Sequence, residues 1–369
     1  MKVGVFTDNI HLGSPGLGRY TRNLVEQLLA LDSGFEYLLV HRGDHPYYHD
    51  KPHLRVRDVG VKILGKQVLV PLQLAGRGLD LVHDTYHFPP FLAPSAYRRV
   101  MTIADTTPFF LSTHTWRNRL AHHLLVRRLA HRAHHVVTIS ESSRQDIVRL
   151  LAIPPERVSV TYLAADERYR PLDDPERTRT VRARHRLPER FLLYVGTLEP
   201  RKNLSRVIAA FQRVADRVRD CSLVLVGPRG WKDAEVLAAA RPLEEQGRLV
   251  RLGQVPEEDL SALYGLAEAL VYPSLYEGFG LPVLEAMQCG CPVITSNVSS
   301  LPEVAGDAGL LVPPDSVQAI AGAMERVLSS AELRAAMGER GIKRARRFSW
   351  RRCAEETLDV YRRVLSNGH

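Results

Sequence analysis

The sequence predicts two consecutive α/β domains, each built on a parallel sheet. Three observations carry this. Short apolar runs rich in Val, Ile, Leu and Tyr recur, separated by helix-length stretches. Strands that read as continuously apolar are those buried on both faces of a parallel sheet. The pattern is then interrupted by a charged, proline-punctuated region over residues 166–190, and afterwards restarts.

In order, the first half has strands at 3–7, 37–40, 100–103, 136–139 and 158–163, with a further strand ending near His83 and Asp84. The second half has strands at 191–195, 222–226, 249–252, 269–272, 292–295 and 310–312. The interruption lacks a long apolar run, as expected between compact units. The domains are accordingly 1–170 and 185–349. A last helix, near 350–369, follows the second. Ligands of such sheets bind outside the carboxyl ends of the strands, so the cleft implied between two such domains should be lined by strand-to-helix turns.

The chain has 369 residues, 45% hydrophobic and 25% charged. That excludes collagen-like, disordered and miniature disulfide-rich classes. No run approaches 18 apolar residues and the N-terminus lacks the apolar stretch of a secretion signal, so a cytoplasmic protein is expected. Four cysteines are too few to staple such a chain and read as reduced. Cys289 and Cys291 are spaced C-x-C without a second ligand pair, so core packing rather than zinc is expected. The net charge of +9 favours an anionic partner without choosing among nucleic acid, membrane and phosphorylated small molecules.

Three turns carry chemistry. After the first strand, residues 8–18 hold Gly13, Gly16 and Gly18 before a helix over 19–31; such a turn lets backbone N–H groups approach phosphate or sugar. The spacing is neither G-x-G-x-x-G nor a Walker loop, and an ordinary tight turn accounts for it equally well. The second domain opens with strand 191–195 and then Gly196-Thr-Leu-Glu-Pro-Arg201-Lys202-Asn-Leu. Two cations beside a helix start oppose its dipole unless an anion shares the site. The third turn, over 272–287, places Glu277 in a loop with Gly278, Phe279 and Gly280, then Leu281 and Pro282 at a helix start, then Glu285 one turn inside.

As a glycosidase pair the two glutamates would need to stand roughly 5 to 10 Å apart. Eight residues of helix would separate them by about 12 Å. A better-motivated reading has the loop carboxylate accept sugar hydroxyls, the helix end bind phosphate, and the helical carboxylate hold a ribose diol. Together these describe a nucleotide-sugar.

With these motifs the chain resembles the retaining glycosyltransferases of family 4, which have the GT-B fold of two Rossmann-like domains facing each other across a cleft. The Glu-x7-Glu segment, the Gly-Thr-Leu-Glu-Pro-Arg-Lys-Asn turn and Pro292-Val-Ile-Thr-Ser carry the resemblance. The run from Ser296 to Gly306 is most similar to the branch containing GDP-mannose-dependent mannosyltransferases.

The resemblance implies that Arg201 and Lys202 meet the donor diphosphate, Glu277 the transferred hexose, and Phe279 to Leu281 the sugar and phosphate through backbone. It implies that Glu285 holds the ribose, that Arg251 and Val255 flank the base, and that Gly196 and Gly16 lie near the donor. Ser140 and Glu141 resemble a segment facing the cleft, and the last helix is expected to cross back onto the first domain. The family's histidine before Asp105 is replaced by Ala104, leaving Asp105, His83, Asp84 and His87 as candidates near the reacting sugar; for each histidine a structural role is an equal alternative. A second departure is Tyr162-Leu-Ala-Ala-Asp166 at the hinge.

The implied activity is retaining transfer of a hexose, mannose from GDP-mannose in the first instance and a UDP-sugar in the alternative, to a glycan, glycolipid or small-molecule hydroxyl acceptor in polysaccharide or glycolipid synthesis. No Asp-x-Asp occurs, so metal-independent catalysis without a cofactor is expected, by front-face attack. A phosphorylase or epimerase would keep the donor site and change the reaction. A nucleic-acid-binding role is disfavoured, because no aromatic RNA motif or zinc-finger pattern accompanies the charge. The helix within 116–135 carries Arg117, Arg119, Arg127, Arg128 and Arg132 opposite Trp116, Leu120, Leu124, Leu125 and Leu129. It reads first as a surface helix, and in the competing reading as a peripheral contact with anionic membrane on its inner face.

Overall fold

The computed structural model describes residues 1–10, 15–56, 62–86, 88–107, 116–230 and 233–366. Residues 11–14 of the first glycine turn, His87, and the side chains of Trp116, Arg117, Arg119 and Leu120 lie outside the described residues.

The chain divides into two compact units, Met1–Leu163 with Ser349–His369, and Ala164–Phe348. In the first, strands β1 (Lys2–Phe6), β2 (Glu36–His41), β3 (His53–Arg55), β4 (Leu81–Asp84), β5 (Arg98–Thr102), β6 (His135–Thr138) and β7 (Val158–Val160) form one sheet in the order β3-β2-β1-β4-β5-β6-β7. Every pairing is parallel. The central strands are buried on both faces, which is why they lack polar alternation. The order reverses between β1 and β4, and there the turns interlock: Asn9 Nδ2 donates to the Thr85 carbonyl at 3.2 Å, and Thr21 Oγ1 to Thr85 Oγ1 at 3.0 Å.

Helix α1 (Pro15–Ala30) begins four residues before the expected Arg19. Gly16 therefore lies in its first turn rather than in the preceding loop, exposed, with open space where a side chain would be. Proline at a first helical position is favourable, and Pro15 explains the early start. Helices α2 (Lys62–Leu74), α3 (Trp116–Arg132) and α4 (Glu141–Leu151) follow. On α3 the buried stripe is Val126, Leu129 and Ala130, while Leu124 is 56% exposed beside exposed Arg127 and Arg128. Leu124 was expected on the apolar face, and packing rotates it off.

The second unit has strands β8 (Arg190–Val195), β9 (Cys221–Val226), β10 (Leu249–Gly253), β11 (Ala269–Tyr272), β12 (Val293–Ser296) and β13 (Leu310–Val312), in the order β10-β9-β8-β11-β12-β13. All are parallel. The core joins Leu192, Leu223, Val271 and Ile294 of the strands to Phe211, Val214 and Met324 of covering helices. The reversal falls between β8 and β11, so the turns after these two strands meet at the topological switch point. They are the Arg201–Lys202 turn and the Glu277 loop.

The interruption at 166–190 is a correction. It is no open linker, since it carries α5 (Pro175–His185) and belongs to the second unit, which starts at Ala164 rather than 185. Asp174 caps α5, accepting from the amides of Glu176 at 3.0 Å and Arg177 at 2.9 Å. Val181 is its one buried residue. Polar contacts hold it instead: Arg177, Arg184 and His185 converge at 2.7, 2.8 and 2.8 Å on the fully buried carboxylate of Asp259, in the helix over Glu257–Leu266. A helix fastened through charge has no apolar period to read. The strand expected over 158–163 also ends early, at Val160.

The remaining helices are α6 (Leu204–Ala215), α7 (Ala234–Glu245), α8 (Glu257–Leu266), α9 (Leu281–Gln288), α10 (Leu301–Ala305), α11 (Val317–Ser329), α12 (Ala331–Ala345) and α13 (Trp350–Ser366). Helix α13 buries Cys353, Thr357, Leu358 and Tyr361, one helical face, and groups with the first unit. The Tyr361 hydroxyl is 2.6 Å from Nδ1 of His83 on β4.

Candidate active site

The Arg201 turn is a single 3-10 turn, Pro200–Lys202, and not the first turn of a longer helix. Asn203 ends it at φ +62 and starts α6. Asparagine tolerates this left-handed backbone, and its amide also fastens the turn, donating to the carbonyls of Pro273 at 2.9 Å and Pro314 at 2.6 Å.

From this turn two cations clasp one carboxylate. Arg201 Nη1 donates to Glu277 Oε2 at 2.8 Å and to the Tyr276 carbonyl at 2.8 Å, while Nη2 donates to Glu199 Oε1 at 2.7 Å. Lys202 Nζ donates to Glu277 Oε1 at 2.7 Å and to the Tyr272 hydroxyl at 2.6 Å, and that hydroxyl donates to the same Oε1 at 2.9 Å. The loop backbone is held in turn. Ser299 Oγ accepts from the Glu277 amide at 3.1 Å, and Ser300 Oγ donates to the carbonyls of Glu277 at 3.0 Å and Phe279 at 2.8 Å.

Glu277 is 7% exposed. Burial by itself raises a carboxyl pKa, but Lys202 and Arg201 outweigh it and hold this one at about 2. Burial lowers the Lys202 ammonium and Glu277 opposes that; Glu277 and Glu199 outweigh burial to raise Arg201. Tyr272 stays protonated well into alkaline pH because it is buried beside the Glu277 charge. Two cations thus face two carboxylates. The unfavourable pairing of basic residues with a helix start is relieved by Glu199 and Glu277, so that pairing did not by itself require an outside anion.

Gly280 precedes α9 at φ +107, where a side chain would stand 2.6 Å from Leu301 Cδ2. Only glycine fits both demands. It turns the Gly278-Phe279-Gly280-Leu281 backbone into the start of α9, whose first-turn amides present a positive helix end. Glu285 is buried in α9 and accepts from the Tyr264 hydroxyl at 3.0 Å. Arg251, in β10, is ion-paired with Glu244; Val255 lies half-buried after the strand, and Gly196 directly follows β8.

In the first unit Asp105 follows β5 and accepts from the Thr107 amide at 2.9 Å. His83 is fully buried between Tyr361 and Thr102, and burial lowers its pKa to about 3, so it is a neutral structural residue. Asp84 is buried and accepts from the Tyr86 amide at 2.8 Å. Ser140 caps α4 through the Ser143 amide at 3.0 Å, and Glu141 pairs with Arg144 at 2.9 Å. Sequence reasoning gave no role to Tyr272, Glu199, Asn203 or Ser299 and Ser300. Asn203 alone had a local signal, an asparagine at a turn-to-helix junction.

Residues 15–169 match the model of Glycosyltransferase Family 4, and residues 178–344 that of Glycosyl transferases group 1. O-antigen chain mannosyltransferase B of Escherichia coli is 34% identical over 98% of this chain and 100% of its own. The chain belongs to glycosyltransferase family 4. Its fold is GT-B. Among solved structures, a sucrose-phosphate synthase from Thermosynechococcus elongatus superposes with a TM-score of 0.77 at 21% identity, covering 100% of both chains. A glycosyltransferase from Rickettsia africae does so at 0.79 and 16%, covering 100% of this chain and 99% of that one. In this glycosyltransferase, then, the Arg201–Lys202–Glu277 cluster stands at the switch point of the second Rossmann-like domain.

Proposed function

We propose that this glycosyltransferase moves mannose from GDP-mannose to a hydroxyl of a growing polysaccharide or glycolipid, with retention and without a metal. The observation that carries the reading is the clasp of Arg201 and Lys202 on Glu277 in front of α9. The mannosyltransferase name of the Escherichia coli relative supports the sugar. On donor binding, Arg201, Lys202 and the first-turn amides of α9 take the diphosphate and Glu277 takes sugar hydroxyls. Glu285, oriented by Tyr264, holds the ribose. Arg251 reaches the base only after releasing Glu244, with Val255, Gly196 and Gly16 near the donor.

In the chemical step the bond from the anomeric carbon to the diphosphate oxygen breaks. The acceptor oxygen bonds to that carbon on the same face, and its proton passes to the departing phosphate. Asp105 is the first domain's candidate beside the reacting sugar. The charge leaving with the diphosphate is met by Arg201 and Lys202.

A thermal-shift series with GDP, UDP and ADP, in EDTA, is expected to give the largest rise in Tm with GDP, because a ligand of the native state stabilises it by mass action. A larger rise with UDP would transfer the assignment to a UDP-sugar; no rise with any would remove the donor site from this cluster.

The exposure of Leu124 beside Arg127 and Arg128 supports a peripheral contact of α3 with anionic lipid. Reversing the charge of both arginines is expected to abolish sedimentation with anionic vesicles. Unchanged sedimentation would reject α3 as the contact.

A further inference from the structure

The first unit has a concave site that shares no residue with the candidate active site. A pocket of about 720 Å³ opens at the amino ends of β5 and β6, lined by Arg98, Arg132, Arg157 and Arg363 with His134 and His135. Arg98 starts β5, whereas Asp105 follows its other end, so the pocket lies at the sheet edge opposite the turns that carry candidate chemistry. Its size is that of a small-molecule site.

The charge is what sets it apart. None of the four arginines is in an ion pair with a described residue, and all four line one hollow. Arg157 donates to the carbonyls of His131 and Ala133, and Arg132 to that of Leu92. The Arg157 bonds cap the end of α3, and together with the Arg132 bond they position two guanidinium groups without neutralising them. The guanidinium groups of Arg98 and Arg363 make no hydrogen bond to a described residue. Among the described residues Glu156 is the only carboxylate in the lining, and it is exposed.

The histidines register the same field. Burial and then Arg98, Arg99 and Arg157 lower the pKa of His134, while burial with Arg363 and Arg157 lowers that of His135 to about 4. His134 Nδ1 accepts from the Arg99 amide at 3.0 Å, which leaves the proton on Nε2 as a further donor. Forked donors without a counter-charge, in a concave wall, match the oxygens of a phosphate group carrying two or more negative charges.

We propose that this pocket binds a phosphate-bearing anion of charge −2 or greater, at a site separate from the nucleotide-sugar site of the second unit. The phosphate comes either from a soluble compound or from a lipid headgroup, and the test separates the two. Titration calorimetry with inorganic pyrophosphate is performed on the full chain carrying Lys202→Ala, so that the donor turn does not report. Arg98→Gln and Arg363→Glu are then added singly and together. Each is expected to weaken binding about tenfold, with the transfer rate of the corresponding Lys202 proteins changed less than threefold. Arg363 lies exposed on the last helix, so its variant tests the pocket even if Arg98→Gln fails to fold.

Vesicles of phosphatidylcholine with and without phosphatidic acid form the second arm. Binding of pyrophosphate but not of phosphatidic acid vesicles assigns a soluble ligand. Vesicle binding lost with Arg363→Glu assigns a headgroup. Pyrophosphate affinity unchanged in both variants, or no binding of either probe by the parent, overturns the proposal.

Discussion

Lys202→Ala is expected to lower kcat about a hundredfold, equivalent to about 3 kcal/mol of transition-state stabilisation. The ammonium lies 2.7 Å from Glu277 and 2.6 Å from the Tyr272 hydroxyl, with its side chain 12% exposed, so little water is present to replace it. In the proposed reaction it faces charge that grows as the diphosphate leaves. Single-turnover rates at saturating donor measure this directly. A variant within a few-fold of the parent would show that the diphosphate is held elsewhere.

The same substitution acts on stability. Glu277 is held at about 2 against an ordinary value of 4.5. A carboxyl depressed on folding contributes stability that is complete above its unfolded pKa and is lost as pH falls through the folded one. Without Lys202 one of the two opposing cations is gone and the folded pKa rises. Acid unfolding followed by circular dichroism is therefore expected to begin at a higher pH in the variant. Rate loss measured at neutral pH and this acid shift are separate readouts of one residue.

The second large effect is expected from Gly227→Ala. Gly227 follows β9 at φ +138, and a side chain there would lie 2.2 Å from the Gly196 carbonyl oxygen. Neither backbone can withdraw easily, since the Gly196 amide is bonded to Val226 at 2.9 Å and the Gly227 amide to Gly253 at 2.8 Å. Overlap and backbone strain together should cost about 3 kcal/mol, lowering Tm by about 10 °C for a domain of this size. Because Gly196 opens the turn that carries Arg201 and Lys202, transfer activity should fall with it. Gly247→Ala, at φ +67 with no atom within 4 Å, has the strain without the overlap and should lower Tm less. Equal effects of the two would mean that the contact with Gly196 is relieved at no cost.

Much of the fold was readable from the residues. Runs such as Leu192 to Val195 and Leu223 to Val226 are apolar at every position because helices cover both faces of the sheet, and that burial leaves a continuous signal. His53–Arg55 was missed because an edge strand of three residues with exposed ends has no such run. The interruption at 166–190 misled for a related reason: α5 is held by Asp259, more than seventy residues away, and composition does not reveal a distant counter-charge.

Local chemistry by itself determined that two parallel-sheet domains form, that Arg201 and Lys202 sit on a strand-to-helix turn, and that Glu277 precedes a helix behind glycine. Periodicity, proline and glycine report on neighbours within a few residues, and these features depend on nothing further. Only the tertiary structure decided that Glu277 is the partner of both cations, that Tyr272 links Lys202 to Glu277, that His83 is sealed under the last helix, and that four arginines without an ion pair to a described residue share one hollow. Those facts depend on which strands lie side by side, and the parallel crossovers that bring β8 beside β11, and β5 beside β6, join residues far apart in the chain.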